Sequence, residues 1–318
     1  MNLLKKMVIF SNYYNYRGIS MKFKIQSDVI DIQSVAPIQV IDWGVNLIQA
    51  PQMWSITKGE GIRVAILDTG IDATHPDLAA NYKKGMNFTT NNFTDIMDRK
   101  GHGTHCAGII AGCDNSIGIV GVAPKAELYI AKVLADDGSG SVEAIVKGIN
   151  WAISEQVDII SMSLGSSNDP GPVLQNAIKR AHETGIIIVA ATGNENTHVG
   201  WPASYDEVIA VGAINRNLDR ATFSNFGSET DVAAPGVDIY STYPVNRYAK
   251  LSGTSMATPM VAGVIALILA YYRDIGKKLT PDQIMQLIRE HSVDLGEKGV
   301  DDMFGNGLVN VCELMKIS

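Results

Sequence analysis

The chain has 318 residues, of which 46 % are apolar, 30 are glycine and only 19 % are charged. That length allows about three-quarters of the unfolded surface to be buried, and the composition excludes a disordered or coiled-coil chain. A formal net charge of -7 speaks against nucleic acid or an anionic membrane as main partner, because both recruit basic surfaces.

The chain opens with MNLLKKMVIFSNYYNY, whose apolar stretch MVIF is too short for the core of a signal peptide, so no export signal is read. Short β-branched runs follow at RVAILDT (63–69), ELYIAKVL (127–134), DIISMSL (158–164), GIIIVAAT (185–192) and VIAVGAI (208–214). Apolar on both faces, they predict a mainly parallel sheet covered on both sides. The segments 141–156 and 171–184 have helical spacing, and Thr280-Pro281 with Gln283 predicts a capped helix start. The longest apolar run, Met260 to Tyr272, is interrupted by Gly263 and falls short of a bilayer span. These elements make one doubly wound α/β domain over 39–318, behind an amino-terminal extension of residues 1–38. Cys106, Cys113 and Cys312 are odd in number and lack metal spacing, which suits a reducing, cytoplasmic setting.

Ligands of open parallel sheets bind at the carboxyl ends of the strands, where this chain places Asp68-Thr-Gly, Ser163-Leu-Gly and Thr192-Gly-Asn194. Asp68 follows VAIL, so its carboxylate is nearly buried and needs a partner. GHGTHCAGIIAG (101–112) reads as a small-residue helix with His105 on its first turn, and LSGTSMATPM (251–260) opens an apolar helix at Ser255. Each has an ordinary structural reading taken alone: a helix cap for Ser255, a satisfied core imidazole for His105. A hydroxyl nucleophile needs an adjacent base, and the base an orienting acid. Composition does not show whether the three residues meet.

The segments AILDTGIDATHPDL, GHGTHCAGIIAG and LSGTSMATPMVAG resemble the three active-site blocks of the subtilisin-like serine proteases, in that family's order Asp, His, Ser. The likeness runs from about Val40 to Asn310. It implies a serine endopeptidase in which Ser255 attacks the scissile carbonyl, His105 carries its proton and Asp68 orients the imidazole. It also implies that Asn194 and the Ser255 N–H stabilise the oxyanion. Protein or peptide substrates would lie as an extended strand between Gly138-Ser139-Gly140 and Ser163-Leu164-Gly165. Ala191, Thr192, Gly193, Glu195 and Gly200 would line the pocket for the residue before the cut, with Glu195 either favouring a basic or polar side chain or standing as a solvated surface residue. A structural Ca²⁺ is implied at Gln39, Asp77, Asn115 and the carbonyls of Cys113, Ile117 and Ile119. A weaker cation site near Ala203, Tyr205, Val208, Glu229 and Asp231 competes with a plain surface acidic pair.

The chain is most similar in pattern to the intracellular branch of that family, which implies a cytoplasmic enzyme, a homodimer, and an extension that covers the cleft until removed. FKIQSDVIDI stands where that branch carries a Pro-containing motif; the nearest proline is Pro37, and Met21 is an alternative start. Cys106, beside the histidine block, resembles a buried thiol of another branch and predicts sensitivity to mercurials. A peptide-maturation protease and a non-catalytic member of the fold are the rival functions, the second disfavoured because no triad residue type is lost.

Overall fold

A computed structural model of the chain describes residues 22–25, 28–33 and 38–315; Met21, Pro37 and the whole amino-terminal half of the extension lie outside them. Seven strands, β1 (Arg63–Asp68), β2 (Tyr82–Asn87), β3 (Glu127–Lys132), β4 (Ile159–Met162), β5 (Ile187–Ala191), β6 (Val208–Ile214) and β7 (Val232–Pro235), form the central sheet. Their spatial order is β7-β6-β5-β4-β1-β3-β2 and every pairing is parallel. The five apolar runs all become strands of this sheet. The two that sequence patterning missed are its edges: β2 (YKKGMN) is half exposed, and β7 (VAAP) ends in a proline, both tolerated where one side of a strand is unpaired.

Five helices cover the sheet: α1 (His102–Ala111), α2 (Val142–Ser154), α3 (Pro172–Glu183), α4 (Thr254–Asp274) and α5 (Pro281–His291). Val64 and Ile66 of β1 join one buried cluster with α1 and α4, whereas Ala65 and Leu67 join another with α2 and α3. That alternation is the period-2 signature of a strand buried on both faces. The capping box that opens α5 is formed, with Gln283 N–H donating to Thr280 Oγ1 (3.3 Å) and Thr280 N–H to Gln283 Oε1 (2.9 Å). Helix α4 is 21 residues long with a mean hydropathy of 1.7, longer than the uninterrupted run in sequence because SMATP is helical too. It is enclosed by the sheet, α1 and neighbouring loops, and its apolarity is that of a core helix.

After β1 the chain moves to the β2 edge, returns through β3, then crosses to β4 on the other side of β1. The crevice above the carboxyl ends of β1 and β4 is therefore the point where strand order reverses. The described part of the extension runs over this end of the sheet. Lys22–Lys24 pairs antiparallel with Ser139–Ser141, and Asp28–Gln33 pairs antiparallel with Arg247–Ser252, the segment leading into α4. Val40–Ile41 then pairs with Ile119–Val120 and begins the domain proper.

Candidate active site

Asp68 is the last residue of β1 and is fully buried. Its Oδ1 accepts the Thr69 N–H (2.7 Å) and meets Nδ1 of His102, also at 2.7 Å. The imidazole brought to Asp68 is thus His102, the first residue of α1, and the expectation for His105 is corrected. His105 lies one turn deeper, fully buried. Its Nε2–H is shared between the carbonyls of Ile239 (3.0 Å) and Ala249 (3.1 Å), two neighbouring strands of the small antiparallel sheet. Burial pushes its pKa down to about 3, so it is a neutral structural donor. The helix can approach β1 this closely because residue 103 is glycine: a Cβ there would collide with the Gly70 carbonyl and press on Asp68.

For His102, burial alone favours the neutral ring, but the Asp68 carboxylate and the neighbouring Cys106 sulfur outweigh it and raise its pKa well above the usual histidine value. Its Nε2 is buried and has no hydrogen-bond partner among the described residues; the same holds for Asp68 Oδ2. A buried nitrogen without a partner costs about 1–3 kcal/mol, a cost that a reactant group placed opposite it would remove.

Ser255 sits in the first turn of α4 behind Gly253. Pro259, four residues on, has no N–H to offer the Ser255 carbonyl. That carbonyl instead accepts from Ser163 Oγ (2.8 Å) and Cys106 Sγ (3.5 Å), while Ser255 Oγ donates to the Ser163 carbonyl (3.1 Å). Cys106 Sγ also lies 4.0 Å from His102 Nδ1, so one thiol touches both the imidazole and the serine residue. Cys106 thus connects the Asp68–His102 pair to the main chain of Ser255, and all four residues are buried.

The loop after β5 reaches the same place. Asn194 Oδ1 accepts both the N–H (2.9 Å) and Oγ1–H (2.8 Å) of Thr254, and Gly193 N–H donates to Thr254 Oγ1 (3.2 Å). With its oxygen identified by two donors, the amide orientation is fixed. Sequence reading missed the residue that organises this loop: Asn225, nearly fully buried. Its Nδ2 donates to the Thr192 carbonyl (3.1 Å) and Glu195 Oε2 (2.9 Å), and its Oδ1 accepts from Glu195 and Thr197 N–H. Glu195 Oε2 also accepts the Asn194 N–H (3.0 Å), so this carboxylate is a brace for the loop. Ala191 and Thr192 are buried, and Gly200 N–H donates to the Thr192 carbonyl (2.8 Å).

The two predicted substrate edges carry a strand, and it is the extension's own. Lys24 N–H donates to Gly165 O (3.3 Å), Gly165 N–H to Lys24 O (3.4 Å) and Ile25 N–H to Gly138 O (3.1 Å), with Phe23 opposite Gly140. Phe23 is completely buried in the cluster that contains Leu134, Val142, Ile145 and Leu164.

The proposed calcium ligands also converge. Gln39 Nε2 donates to Cys113 O (2.7 Å), Asn115 Nδ2 to Asp77 Oδ1 (2.9 Å), and Asp77 Oδ2 accepts from Ile119 N–H (2.9 Å) and Tyr248 OH (2.8 Å). Gly118, at φ +58°, is required because a Cβ would overlap Asp77 and Tyr248. Asp77 is fully buried, and its carboxylate and the Cys113 carbonyl are oxygen donors of the kind a hard cation takes; here the carboxylate accepts from N–H and O–H groups, and the Gln39 and Asn115 amides would have to turn to present their oxygens to an ion. The weaker set is different: Asp231 is held by Arg289 (3.3 Å) and the Ala210 N–H (3.0 Å), and Tyr205 OH donates to Asp169 (3.0 Å). At Asp231 a guanidinium already supplies the positive charge, while Glu229 Oε2 accepts from the Ser228 hydroxyl (3.4 Å).

Residues 59–307 match the subtilase family. The chain is 45 % identical over 301 residues to an intracellular serine protease of Paenibacillus polymyxa, covering 90 % of each chain. It is 43 % identical to subtilisin DY of Bacillus licheniformis (86 % of this chain, 98 % of that one). Against the major intracellular serine protease of Bacillus subtilis the identity is 44 %, with coverage of 81 % and 84 %.

Proposed function

This chain belongs to the subtilase family and is a serine endopeptidase, and from that premise we propose that Ser255, His102 and Asp68 are its catalytic triad. The observation that carries the assignment is His102, tied to Asp68 through Nδ1 while Nε2 stays buried without a partner. In the reactive arrangement Ser255 Oγ would leave the Ser163 carbonyl, to which it donates here (3.1 Å), and donate to that nitrogen instead. His102 accepts the hydroxyl proton as Oγ bonds to the scissile carbonyl carbon, then gives it to the leaving amine; water repeats the sequence and releases the acid product. Asp68 holds the tautomer and stabilises the imidazolium. The Ser255 N–H, at the positive end of α4, and the Asn194 amide donate to the developing oxyanion. A fluorophosphonate should form one adduct on the activated protein, located to Ser255 by mass spectrometry and absent from Ser255→Ala; an unlabelled wild type overturns the assignment.

The same reading makes residues 22–25 a segment held in the substrate's place, so that the extension suppresses activity until removed. It also makes an aromatic residue at the position of Phe23 a favourable feature of substrates. The relatives' names and three free cysteines support action in the cytoplasm, and the same branch supports a homodimer.

Gln39, Asp77, Asn115 and the carbonyls of Cys113, Ile117 and Ile119 would hold a Ca²⁺, whose charge would tie the domain's first residues to the 113–119 loop. Binding only to the folded state stabilises by about 4 kcal/mol at a thousand times Kd. Millimolar Ca²⁺ should therefore raise Tm by roughly 10 °C, and Asp77→Asn should abolish both the shift and calorimetric Ca²⁺ binding; an equal shift in the variant removes the site.

Cys106 explains a further expectation. A mercury ion on Sγ, 4.0 Å from Nδ1 of His102, displaces the imidazole from its seat. The thiol is fully buried, so small inorganic Hg²⁺ should inhibit better than bulky mercurials, and Cys106→Ala should keep its activity. Equal inhibition of the variant contradicts this account.

A further inference from the structure

The catalytic imidazole is carried on the first turn of a helix that has no cap of its own. Gly101, at φ +98°, precedes α1 and offers no side chain to its N–H groups. The helix start is nevertheless fixed, and the group that fixes it is Asp98, a fully buried carboxylate. Its Oδ1 accepts from Thr69 Oγ1 (2.9 Å), Lys100 N–H (3.0 Å) and Gly101 N–H (2.7 Å), and its Oδ2 from Thr104 N–H (2.8 Å) and Thr104 Oγ1 (2.7 Å). Among the described residues no cationic side chain pairs with it; five donors and the positive end of α1 offset its charge.

The donors fall into two groups. Gly101 and Thr104 flank His102 on both sides. Thr69 follows Asp68 directly, and its Oγ1 also accepts the Gly103 N–H (3.0 Å). The Thr69 carbonyl is in turn held by the buried ammonium of Lys132. Asp98 is thus the joint between the strand end that carries the acid and the helix start that carries the base, without touching either catalytic side chain.

We propose that Asp98, acting with the Thr69 hydroxyl, is a positioning residue that sets the His102 imidazole against Asp68. A carboxylate is required because both oxygens face donors: an amide would turn an N–H toward the Gly101 or the Thr104 N–H, and the first turn of α1 would move. Catalytic rates fall about 10²-fold for misplacements near 1 Å, and the proton-transfer geometry of His102 is the part displaced. The inference rests on His102 being the base.

The test compares activated wild type with Asp98→Asn, Thr69→Val and Thr69→Ser activated in the same way, by kcat, KM, Tm and the acid limb of kcat/KM. Titratable groups facing His102 are Asp68, Cys106 and His105, all left in place. Asp98→Asn should lower kcat about 10²-fold with KM within twofold and move the acid limb to lower pH, because a loosened Asp68 contact no longer favours the imidazolium. Thr69→Val, which keeps every cap donor to Asp98 except the hydroxyl, should show the same changes at roughly tenfold, and Thr69→Ser should restore wild-type values. If Asp98→Asn does not fold, the Thr69 pair decides. Folded variants with lowered Tm but wild-type kcat and an unmoved limb reduce Asp98 to a helix cap and overturn the proposal. A wild type that is not labelled at Ser255 instead removes the triad assignment, so the two failures are distinct.

Discussion

His102→Ala lowers kcat by roughly 10⁶-fold, the size seen when a triad member is removed from a subtilisin, and leaves Tm within a few degrees. His105→Ala does the reverse. It deletes the donor shared by the Ile239 and Ala249 carbonyls and opens a void in a packed interior, a loss of about 3–5 kcal/mol and roughly 10 °C in Tm. Molecules still folded keep most of their activity. The pH profile supplies a second axis. Only the neutral imidazole has the lone pair on Nε2 that takes the serine proton, and Asp68 raises the His102 pKa, so kcat/KM climbs with pH through a limb lying above the usual histidine value. Asp68→Asn removes the stabilising charge: the limb shifts to lower pH and kcat falls about 10⁴-fold. An inactive, well-folded His105→Ala beside an active His102→Ala would restore the first reading of the sequence.

That reversal of two histidines marks where patterning stops. GHGTH places two imidazoles three residues apart on one helix turn, about 60° apart in projection, and no periodicity separates them. The sequence did hold a usable signal. Ligands lie at the strand ends, so the histidine at the mouth of the helix, beside a glycine allowing close approach to β1, is better placed than one a turn deeper. Asp68 stands out as a carboxylate closing a buried strand and Ser255 as a hydroxyl opening an apolar helix, whereas Asn194 alone reads as an ordinary turn residue, and only the family resemblance assigns the three to one site. Asp98 and Asn225 were not legible: both sit in polar loop sequence, MDRKG and FSNFG, and their importance comes from donors supplied by residues remote in sequence. The sheet was readable strand by strand where both faces are apolar, and unreadable at β2 and β7, whose outer sides need not be.

The full-length, uncleaved protein is expected to be at least about 10²-fold less active on a short peptide substrate than the same chain lacking residues 1–38. The described extension makes main-chain bonds to both edges of the cleft, at Gly138 and Gly165, and continues along the strand that leads to Ser255. A tether of this kind has an effective concentration near ~1 mM. A segment that binds the cleft with Kd near ~10 µM, about 7 kcal/mol, is then seated roughly a hundred times more often than not. Most of that affinity has one evident anchor. Phe23 buries its whole side chain, whereas Lys22 and Lys24 on either side point to solvent, the alternation expected of a strand lying on a surface. Phe23→Asp, which would bury a carboxylate among Leu and Val side chains, should weaken seating by more than the hundredfold margin and bring the full-length chain close to the truncated one. Lys24→Ala should change little, since its contribution is main-chain. Intact mass must be verified before each assay, because a cut extension would erase the difference. Equal activities for intact full-length and truncated protein, or a Phe23→Asp chain as quiet as wild type, would show that the strand in the cleft is displaced by substrate without effort and does not govern the enzyme.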